Sequence, residues 1–179
     1  MKRLLLLSGP MASGKTSVSE CLKAHHGFEA ISSGSFLRAQ LAARDEPNDR
    51  HNLQELGDAL DSATDFSWLI ESVARPAIDA RPNTESWLLD AVRKARQVEL
   101  FRLHFRNAVR HVHVTAPESV LQRRYAERGA DQLALYQSSV YHPNEQSARS
   151  LECIADKVVN TEELNLFDIA NQILELWEH

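Results

Sequence analysis

Gly9-Pro10-Met11-Ala12-Ser13-Gly14-Lys15-Thr16 is the stretch of sequence that decides the fold. It fits G-x-x-x-x-G-K-[ST] at every fixed position, a pattern typical of loops that bind phosphate. The apolar run Leu4–Leu7 precedes it, and Ser17–Lys23, which can start a helix, follows it. A strand, a glycine-containing loop and a helix are the context that this motif requires. The stretch therefore predicts a phosphate site where a strand gives way to a helix.

Each part of this loop has a predicted role in holding ATP with Mg²⁺. The glycines let the backbone turn and approach phosphate closely. Backbone N–H groups and the positive end of the following helix then face the anion. Lys15 would reach the β- and γ-phosphates, and the Thr16 hydroxyl would join the Mg²⁺ shell. The residues expected to contact the nucleotide are Gly9, Pro10, Met11, Ala12, Ser13, Gly14, Lys15, Thr16 and Ser17.

Length, charge and cysteine content limit the other possibilities. A chain of 179 residues fits one domain, 1–179, that is large enough to bury a core. The net charge of −5 argues against broad binding to nucleic acid or to an anionic membrane, and no apolar run approaches transmembrane length. Cys21 and Cys153 lack metal-ligand spacing, so we expect a reducing, cytoplasmic compartment. We expect small-molecule partners and a monomer or homodimer.

Short apolar segments alternate with helical segments along the whole chain. The predicted strands are Leu4–Leu7, Phe28–Ile31, Glu85–Asp90, Val109–Val114 and Asp156–Asn160. This alternation indicates an α/β fold with a five-stranded parallel sheet that helices cover on both faces.

Three local details of this pattern can be compared directly with a structure. A helix over Phe66–Ala80 should bend or end at Pro76, because proline disrupts a helix interior. Strand residues His111 and His113 should face solvent or a neighbouring element. The segment Asp131–Pro143 has no clear period and predicts a loop or small flap.

Three segments should share one cleft, because ligands of parallel sheets bind beyond the carboxyl ends of the strands. The phosphate loop follows the first strand, Ser33–Arg38 follows the second, and Asp90–Gln97 follows the third. Asp90, beside Lys15 and Thr16, could hold Mg²⁺ directly or through water, or else cap the next turn.

Arginines supply the positive charge in the predicted cleft. Arg38 and Arg93 could make bidentate contacts to a phosphorylated acceptor, although each alone could also be an ordinary surface arginine. Arg124 and Arg128 are four apart on one helix, hence on one face. They could stabilise charge on the transferring group, or form a solvated basic face with neighbouring glutamates.

The segment after the second strand has serines and no carboxylate. Phosphorylation of a hydroxyl usually requires a positioned carboxylate base, whereas the oxygen of a phosphate monoester is already anionic. The missing base therefore favours an acceptor of the nucleoside monophosphate type over a sugar or nucleoside, although Asp90 could still act as a base.

The segments Gly9–Thr16, Ser32–Arg38 and Leu88–Arg93 together resemble the adenylate kinase-like nucleotide kinases of the P-loop class. Relatives labelled dephospho-CoA kinase-like share this resemblance, which extends over almost the whole chain. It implies a three-layer P-loop NTPase fold and phosphoryl transfer from ATP with Mg²⁺.

The resemblance also implies roles for residues on the acceptor side. Ser32–Arg38 resembles S/T-G-D-x-x-R, whose arginine binds the acceptor phosphate, which implies acceptor contacts by Ser33, Gly34 and Arg38. Ser35 stands where the family has aspartate.

The segment that ends in Arg93 resembles D-G-x-(P)-R. This implies that Asp90 lies near Mg²⁺ and that Arg93 lies on the acceptor phosphate. Ala91 replaces the family glycine, and the proline is missing. Gln97 falls where adenylate kinases have a glutamine that contacts the acceptor adenine, but it could instead cap the next helix.

Arg124 and Arg128 resemble the lid-hinge pair R-x-x-x-R, with one arginine near the donor adenine and one on the phosphates. The resemblance implies a helical acceptor-binding insertion at about 32–82 and a lid at about 124–149. This lid is reduced, and its predicted loop has no arginine, although Arg149 could supply a charge.

Three functions remain open at this point. The first is an ATP- and Mg²⁺-dependent kinase acting on a nucleoside monophosphate. The second is a small-molecule kinase acting on dephospho-CoA, a sugar or an antibiotic. The third is a nucleotide-binding regulatory module with little transfer activity, which the substituted family positions and the reduced lid keep open.

Overall fold

A computed structural model of the chain describes residues 1–90, 92–129 and 132–178. Within these residues, five parallel strands form one sheet in the order β2-β3-β1-β4-β5. The strands are β1 (Arg3–Ser8), β2 (Phe28–Ala30), β3 (Ser86–Leu89), β4 (Val109–Thr115) and β5 (Lys157–Asn160). All five predicted strands are therefore present, with small shifts at their ends.

Helices connect the strands. In the described part of the chain they are α1 (Lys15–His25), α2 (Ser33–Ala43), α3 (Arg50–Thr64), α4 (Arg75–Asp79), α5 (Ala95–Phe105), α6 (Glu118–Ala126), α7 (Gln132–Val140), α8 (Pro143–Ser150) and α9 (Leu166–Leu174). A π-helical segment covers Leu69–Ala74, and 3₁₀ turns cover Arg106–Ala108, Leu151–Ile154 and Glu175–Trp177. None of the helices described here is both long enough and apolar enough to span a membrane.

The four leucines of β1 hold the helical layers on the sheet. Successive strand residues point to opposite faces, so Leu4 and Leu6 pack with α5 and the π-helical segment. Leu5 and Leu7 pack on the other face with α1 and α9. All four leucines are fully buried. This arrangement confirms the predicted three-layer α/β fold.

Pro76 interrupts the regular α-helix, as the sequence predicts. The chain forms π-helical turns over Leu69–Ala74 and then restarts as α4, with Pro76 in its first turn. Proline lacks an N–H group and clashes inside an α-helix, but the first turn tolerates it. The helices α2, α3 and α4 lie within 32–82, and the role of this region as an acceptor-binding insertion stays a prediction.

The prediction of a loop over Asp131–Pro143 is wrong, because α7 occupies most of this segment. Asp131 itself lies outside the described residues, as does Ala91. In α7, Tyr136 is almost fully buried against Tyr125 of α6 and packs in the same cluster as Ala12 of the loop. Tyr136 and Val140, four residues apart, pack in this cluster, whereas Leu135 is half exposed, so the apolar residues do not keep to one face and leave no clear period.

The histidines of β4 lie inside the protein, so of the two expected placements, solvent or a neighbouring element, the structure shows the second. The hydroxyl of Ser8 lies 2.7 Å from His111 Nε2 and 2.9 Å from His113 Nδ1. Strand β4 pairs with β1 on one side and β5 on the other, and helices cover both of its faces. Burial lowers the pKa of both histidines to about 4.

These histidines should make the protein sensitive to mild acid. In the unfolded chain each histidine binds a proton below about pH 6.5, whereas the folded chain keeps both neutral until about pH 4. Stability is therefore lost as the pH falls from 6.5 towards 4, by about 1.4 kcal/mol per pH unit for each histidine.

Urea unfolding at pH 7.5, 6 and 5 measures this loss. The variants His111→Gln and His113→Asn should each flatten the dependence on pH. His104→Asn, which changes an exposed histidine of α5, serves as the control and should keep the wild-type slope. A wild-type slope in both buried-site variants would contradict the assignment.

Candidate functional site

The predicted phosphate loop connects β1 to α1 and has the backbone shape of an anion site. Positive φ angles occur at Gly9 (140°), Ala12 (61°) and Gly14 (96°). Such turns direct successive N–H groups towards one point. The first turn of α1 contains no acidic residue, so the positive end of the helix is available to an anion.

Gly9 is required by the space around it as well as by its φ angle. A Cβ atom at this position would lie 2.1 Å from the carbonyl oxygen of Val114 on β4. Because no side chain fits at this distance, the loop lies directly on the centre of the sheet. The first glycine of the motif thus sets how deeply the loop is placed.

Lys15 folds back over the loop. Its Nζ donates hydrogen bonds to the carbonyl oxygens of Gly9, at 2.7 Å, and Pro10, at 2.8 Å. Burial lowers the pKa of Lys15 to about 8, and the nearby Arg93 adds to this effect. Asp90 and Glu145 act in the opposite direction. An anionic ligand would favour the charged form of Lys15 further.

A cavity of about 850 Å³, here called the loop cavity, opens beside the start of α1. Its walls include the loop segment 11–17, Arg124, Arg128 and Asn165. The predicted nucleotide residues from Met11 to Ser17 and both predicted hinge arginines therefore meet in one place. Gly9 and Pro10 precede them in the loop, directly after β1.

Arg124 and Arg128 contact groups other than the glutamates of their own helix in the described structure. Arg124 donates to the hydroxyl of Thr161 at 2.7 Å and to its carbonyl oxygen at 3.1 Å. The Arg128 guanidinium lies over the ring of Tyr125, 5.3 Å from its centre. Glu118, a possible partner on the same helix, instead pairs with Arg149.

A second cavity of about 260 Å³, the central cavity, adjoins the loop cavity because Met11 and Lys15 line both. Asp90 and Arg93 also line it. Of the two predicted Mg²⁺ ligands, Thr16 lines the loop cavity and Asp90 the central one, and Lys15 lines both.

A third cavity of about 370 Å³, the helical cavity, lies against α2 and α3. The predicted acceptor residues that line it are Ser33, Gly34, Arg38, Arg93 and Gln97. Asp90 and Arg93 line both this cavity and the central one. The structure thus brings the three segments after β1, β2 and β3 to one continuous cleft.

A family model described as an AAA domain matches residues 5–140, which is more than half of the chain. The chain belongs to the AAA domain family. No curated protein sequence matches this AAA domain protein.

Several solved structures, among them two named as kinases, have a similar fold. A gluconokinase from Sinorhizobium meliloti 1021 aligns with a TM-score of 0.54 and 18% identity, over 99% of this chain and 92% of that one. A shikimate kinase from Bacteroides thetaiotaomicron gives 0.55 and 14%, over 99% of each chain. The YorR protein from Bacillus subtilis, solved with phosphorylated GDP, gives 0.55 and 15%, over 98% and 96%.

These structural alignments show that the chain has the P-loop kinase fold. At such low identity they show neither substrate nor residue roles. They confirm the predicted fold class. The narrower adenylate kinase-like assignment, the acceptor and the roles of individual residues stay predictions.

Gln97 has the capping role that the sequence left open. Its Oε1 accepts hydrogen bonds from the backbone N–H groups of Arg93, at 3.0 Å, and Lys94, at 3.2 Å. Its Nε2 lies 3.4 Å from Oδ1 of the buried Asp61. Gln97 therefore caps the start of α5 through its amide oxygen. Its amide nitrogen is directed towards Asp61, and the residue lines the helical cavity.

Thr161, which follows β5, is a site residue that the sequence analysis missed. Its hydroxyl donates to the carbonyl oxygen of Ser13 at 2.8 Å and accepts from Arg124. Thr161 thus joins the loop, the last strand and an arginine of the loop cavity. It belongs to no motif, and only the fold brings it to the loop.

Glu145 of α8 is a second residue that sequence reasoning did not find. Its Oε1 accepts a hydrogen bond from the backbone N–H of Met11 at 2.9 Å and another from Arg149 Nε at 3.1 Å. The Glu145 side chain is only 10% exposed and lines the central cavity. A carboxylate oxygen therefore already occupies one N–H group of the phosphate loop.

Arg149 fixes the arrangement of the helices α6, α7 and α8. It donates to Glu118 Oε2 at 2.9 Å and to the Tyr136 hydroxyl at 3.1 Å. Tyr136 in turn donates to Glu118 Oε1 at 2.6 Å. These bonds join α6, α7 and α8, so the positive charge that the sequence suggested for the lid is present but already paired.

Replacing Glu145 with glutamine should strengthen binding of ADP. The wild-type carboxylate lies where phosphate oxygens would approach, and two charges 4 Å apart in water repel by about 1 kcal/mol, or about fivefold in Kd. Calorimetric titration with ADP measures the change.

Glu152→Gln removes the same charge from an exposed position just after α8 and is the matched control, expected to bind as the wild type does. Weaker ADP binding by Glu145→Gln would contradict competition between this carboxylate and phosphate.

Proposed function

We propose that the protein is an ATP-dependent kinase that transfers the γ-phosphoryl group to an acceptor of the nucleoside monophosphate type. The observation that carries the proposal is the continuous cleft. Lys15 borders the loop cavity and the central cavity, and Arg93 borders the central cavity and the helical cavity. ATP would enter on the loop side and the acceptor on the helical side, so that both would meet at the central cavity.

The loop fits the phosphates of ATP. Its Met11 N–H already donates a hydrogen bond to a carboxylate oxygen, and its buried Ser13 hydroxyl has no hydrogen-bond partner among the described residues. The Thr16 hydroxyl and the Asp90 carboxylate are oxygen donors of the type that Mg²⁺ prefers. When bound, Mg²⁺ would neutralise charge that develops on the phosphates.

Catalysis in this proposal consists of positioning and electrostatics. When ATP binds, Lys15 Nζ releases its hydrogen bonds to the carbonyl oxygens of the loop and donates to phosphate oxygens instead. Arg38 and Arg93, which line the helical cavity together, hold the acceptor phosphate. Arg124 and Arg128 leave Thr161 and Tyr125 to neutralise the donor phosphates as α7 and α8 close and exclude water.

A second candidate is a kinase of a hydroxyl-bearing small molecule, and Glu145 favours it. The sequence argument against a hydroxyl acceptor rests on the missing second carboxylate, but Glu145 and Asp90 both line the central cavity. Either carboxylate could accept the proton of a hydroxyl group. Proteins named gluconokinase and shikimate kinase have the same fold, which also supports this candidate.

An acceptor panel separates the candidates. The protein is incubated with ATP, Mg²⁺ and single acceptors, and ADP release is measured. The panel contains the ribo- and deoxyribonucleoside monophosphates, dephospho-CoA, gluconate, shikimate and an aminoglycoside. Product from nucleoside monophosphates supports the main proposal, and product from the other compounds alone supports the second. Tight ATP binding without any product would indicate a regulatory module.

Lys15→Ala should lower kcat/KM for transfer by about 100-fold or more, because it removes a preorganised positive group from the transferring phosphoryl. The fold should survive, since the side chain bonds only to loop carbonyl oxygens. Lys23→Ala, an exposed change on the same helix, is the control. Near-normal transfer by Lys15→Ala, with wild-type thermal unfolding, would overturn the proposal.

A further inference from the structure

Asp61 of α3 is a buried carboxylate that faces the helical cavity and belongs to no sequence motif. It is 7% exposed and lines that cavity, but not the central one. Arg93 lines both cavities. Asp61 therefore lies on the side of the helical cavity away from the phosphate loop, where the body of an acceptor anchored by its phosphate would extend.

One oxygen of Asp61 is held firmly and the other is available. Oδ1 accepts hydrogen bonds from Trp68 Nε1 at 2.8 Å and from Gln97 Nε2 at 3.4 Å. The Trp68 ring stacks on Phe36 with centres 5.6 Å apart, which fixes the donor. Oδ2 has no hydrogen-bond partner in the described part of the chain and is not among its fully enclosed unpaired atoms, so it is open to the cavity.

The bonds to Trp68 and Gln97 do not require a carboxylate. Both donors bind the same oxygen, and the amide oxygen of asparagine would accept them equally. A buried charge with an unused oxygen is costly unless a donor satisfies it. Burial accordingly raises the pKa of Asp61 from its ordinary value. A ligand with an N–H or O–H group would relieve this cost.

The walls of the helical cavity indicate what kind of donor this is. Leu37, Leu53, Trp68 and Leu69 supply apolar surface near the carboxylate. A polyol hydroxyl placed against this apolar surface would lack a partner there, at a cost in free energy. A flat heterocycle presents apolar faces and confines its N–H groups to its edge. The cavity volume of about 370 Å³ falls in the range of small-ligand sites, about 300–1,000 Å³.

We propose that Asp61 selects the acceptor by accepting a hydrogen bond from a ring or exocyclic N–H group of its base, while Arg38 and Arg93 hold its phosphate. This inference rests on the proposed transfer to a nucleoside monophosphate and adds how the base is chosen. Gln97 acts as a positioning residue that orients Asp61.

The wild-type protein provides the first test, by calorimetry in the absence of ATP. Each acceptor is compared with an analogue that lacks the N–H donor: AMP with purine riboside 5′-monophosphate, CMP with pyrimidin-2-one riboside 5′-monophosphate, and UMP with N3-methyl-UMP. For the nucleotide that binds best, loss of a hydrogen bond to a charged group should weaken binding by about tenfold or more.

Asp61→Asn provides the second test. The amide oxygen keeps the bonds to Trp68 and Gln97, so the amide N–H₂ now faces the cavity. The variant should bind the donor-bearing nucleotide about tenfold or more weakly than the wild type does, but bind the analogue within about threefold of wild type. The matched control is Asp79→Asn, an exposed change on α4. It should keep the wild-type ratio between the Kd of the analogue and the Kd of the donor-bearing nucleotide.

The outcomes distinguish this inference from the proposed function. If a nucleoside monophosphate binds and is phosphorylated, but the wild type does not discriminate against its analogue, the role of Asp61 is refuted and the kinase proposal stands. The role of Asp61 is refuted equally if a folded Asp61→Asn variant keeps the wild-type ratio between the Kd of the analogue and that of the nucleotide. If no nucleoside monophosphate binds, both proposals fail. The comparison of nucleotide and analogue is made on the wild-type protein. It can therefore refute the role of Asp61 even if the Asp61→Asn variant does not fold.

Discussion

The close contact between Gly9 and the carbonyl oxygen of Val114 is the constraint on which the site depends. With 2.1 Å between that oxygen and any added Cβ, the loop can lie on β4 only as a glycine backbone. This placement puts Lys15 at the border of two cavities. It also brings Ser13 within hydrogen-bond distance of Thr161, so the far edge of the sheet supports the same loop.

The loop side and the helical side of the cleft are built differently. The loop rests on strands that are buried on both faces, and its geometry follows from the sheet. The helical cavity instead lies against α2 and α3, next to a π-helical segment at Leu69–Ala74. Its shape depends on how these helices pack, and on a buried carboxylate held by Trp68 and Gln97. The shape of the helical cavity can therefore vary without altering the phosphate loop.

Features encoded within a few neighbouring residues could be predicted from the sequence. The loop motif, the four leucines of β1 and the strand end at Asp90 indicated the fold and the position of the cleft. The arginines Arg38 and Arg93 also reach the cavity expected for them. In each case the signal and the structural feature lie in the same short segment.

What the sequence could not supply depends on contacts between distant segments. Glu145 meets the backbone of Met11 across 134 positions, and Thr161 meets Ser13 across 148. The alternating pattern of β4 suggested one solvated face, but sheet neighbours and helices bury His111 and His113 completely. Asp61 lies on a helix with other acidic residues. Its hydrogen bond from Trp68 and its position in the helical cavity distinguish it from them, and neither can be read from the sequence.

The hydroxyl of Ser8 between the two histidines of β4 also determines the register of the sheet. Ser8 lies beside His113 in the pairing of β1 with β4, and the next position after it is Gly9. A slip of one residue would turn Ser8 away from both rings, and a slip of two would separate it from one of them. Three polar side chains in an apolar interior thus ensure that, of all the residues of β4, Val114 is the one that the loop comes to face.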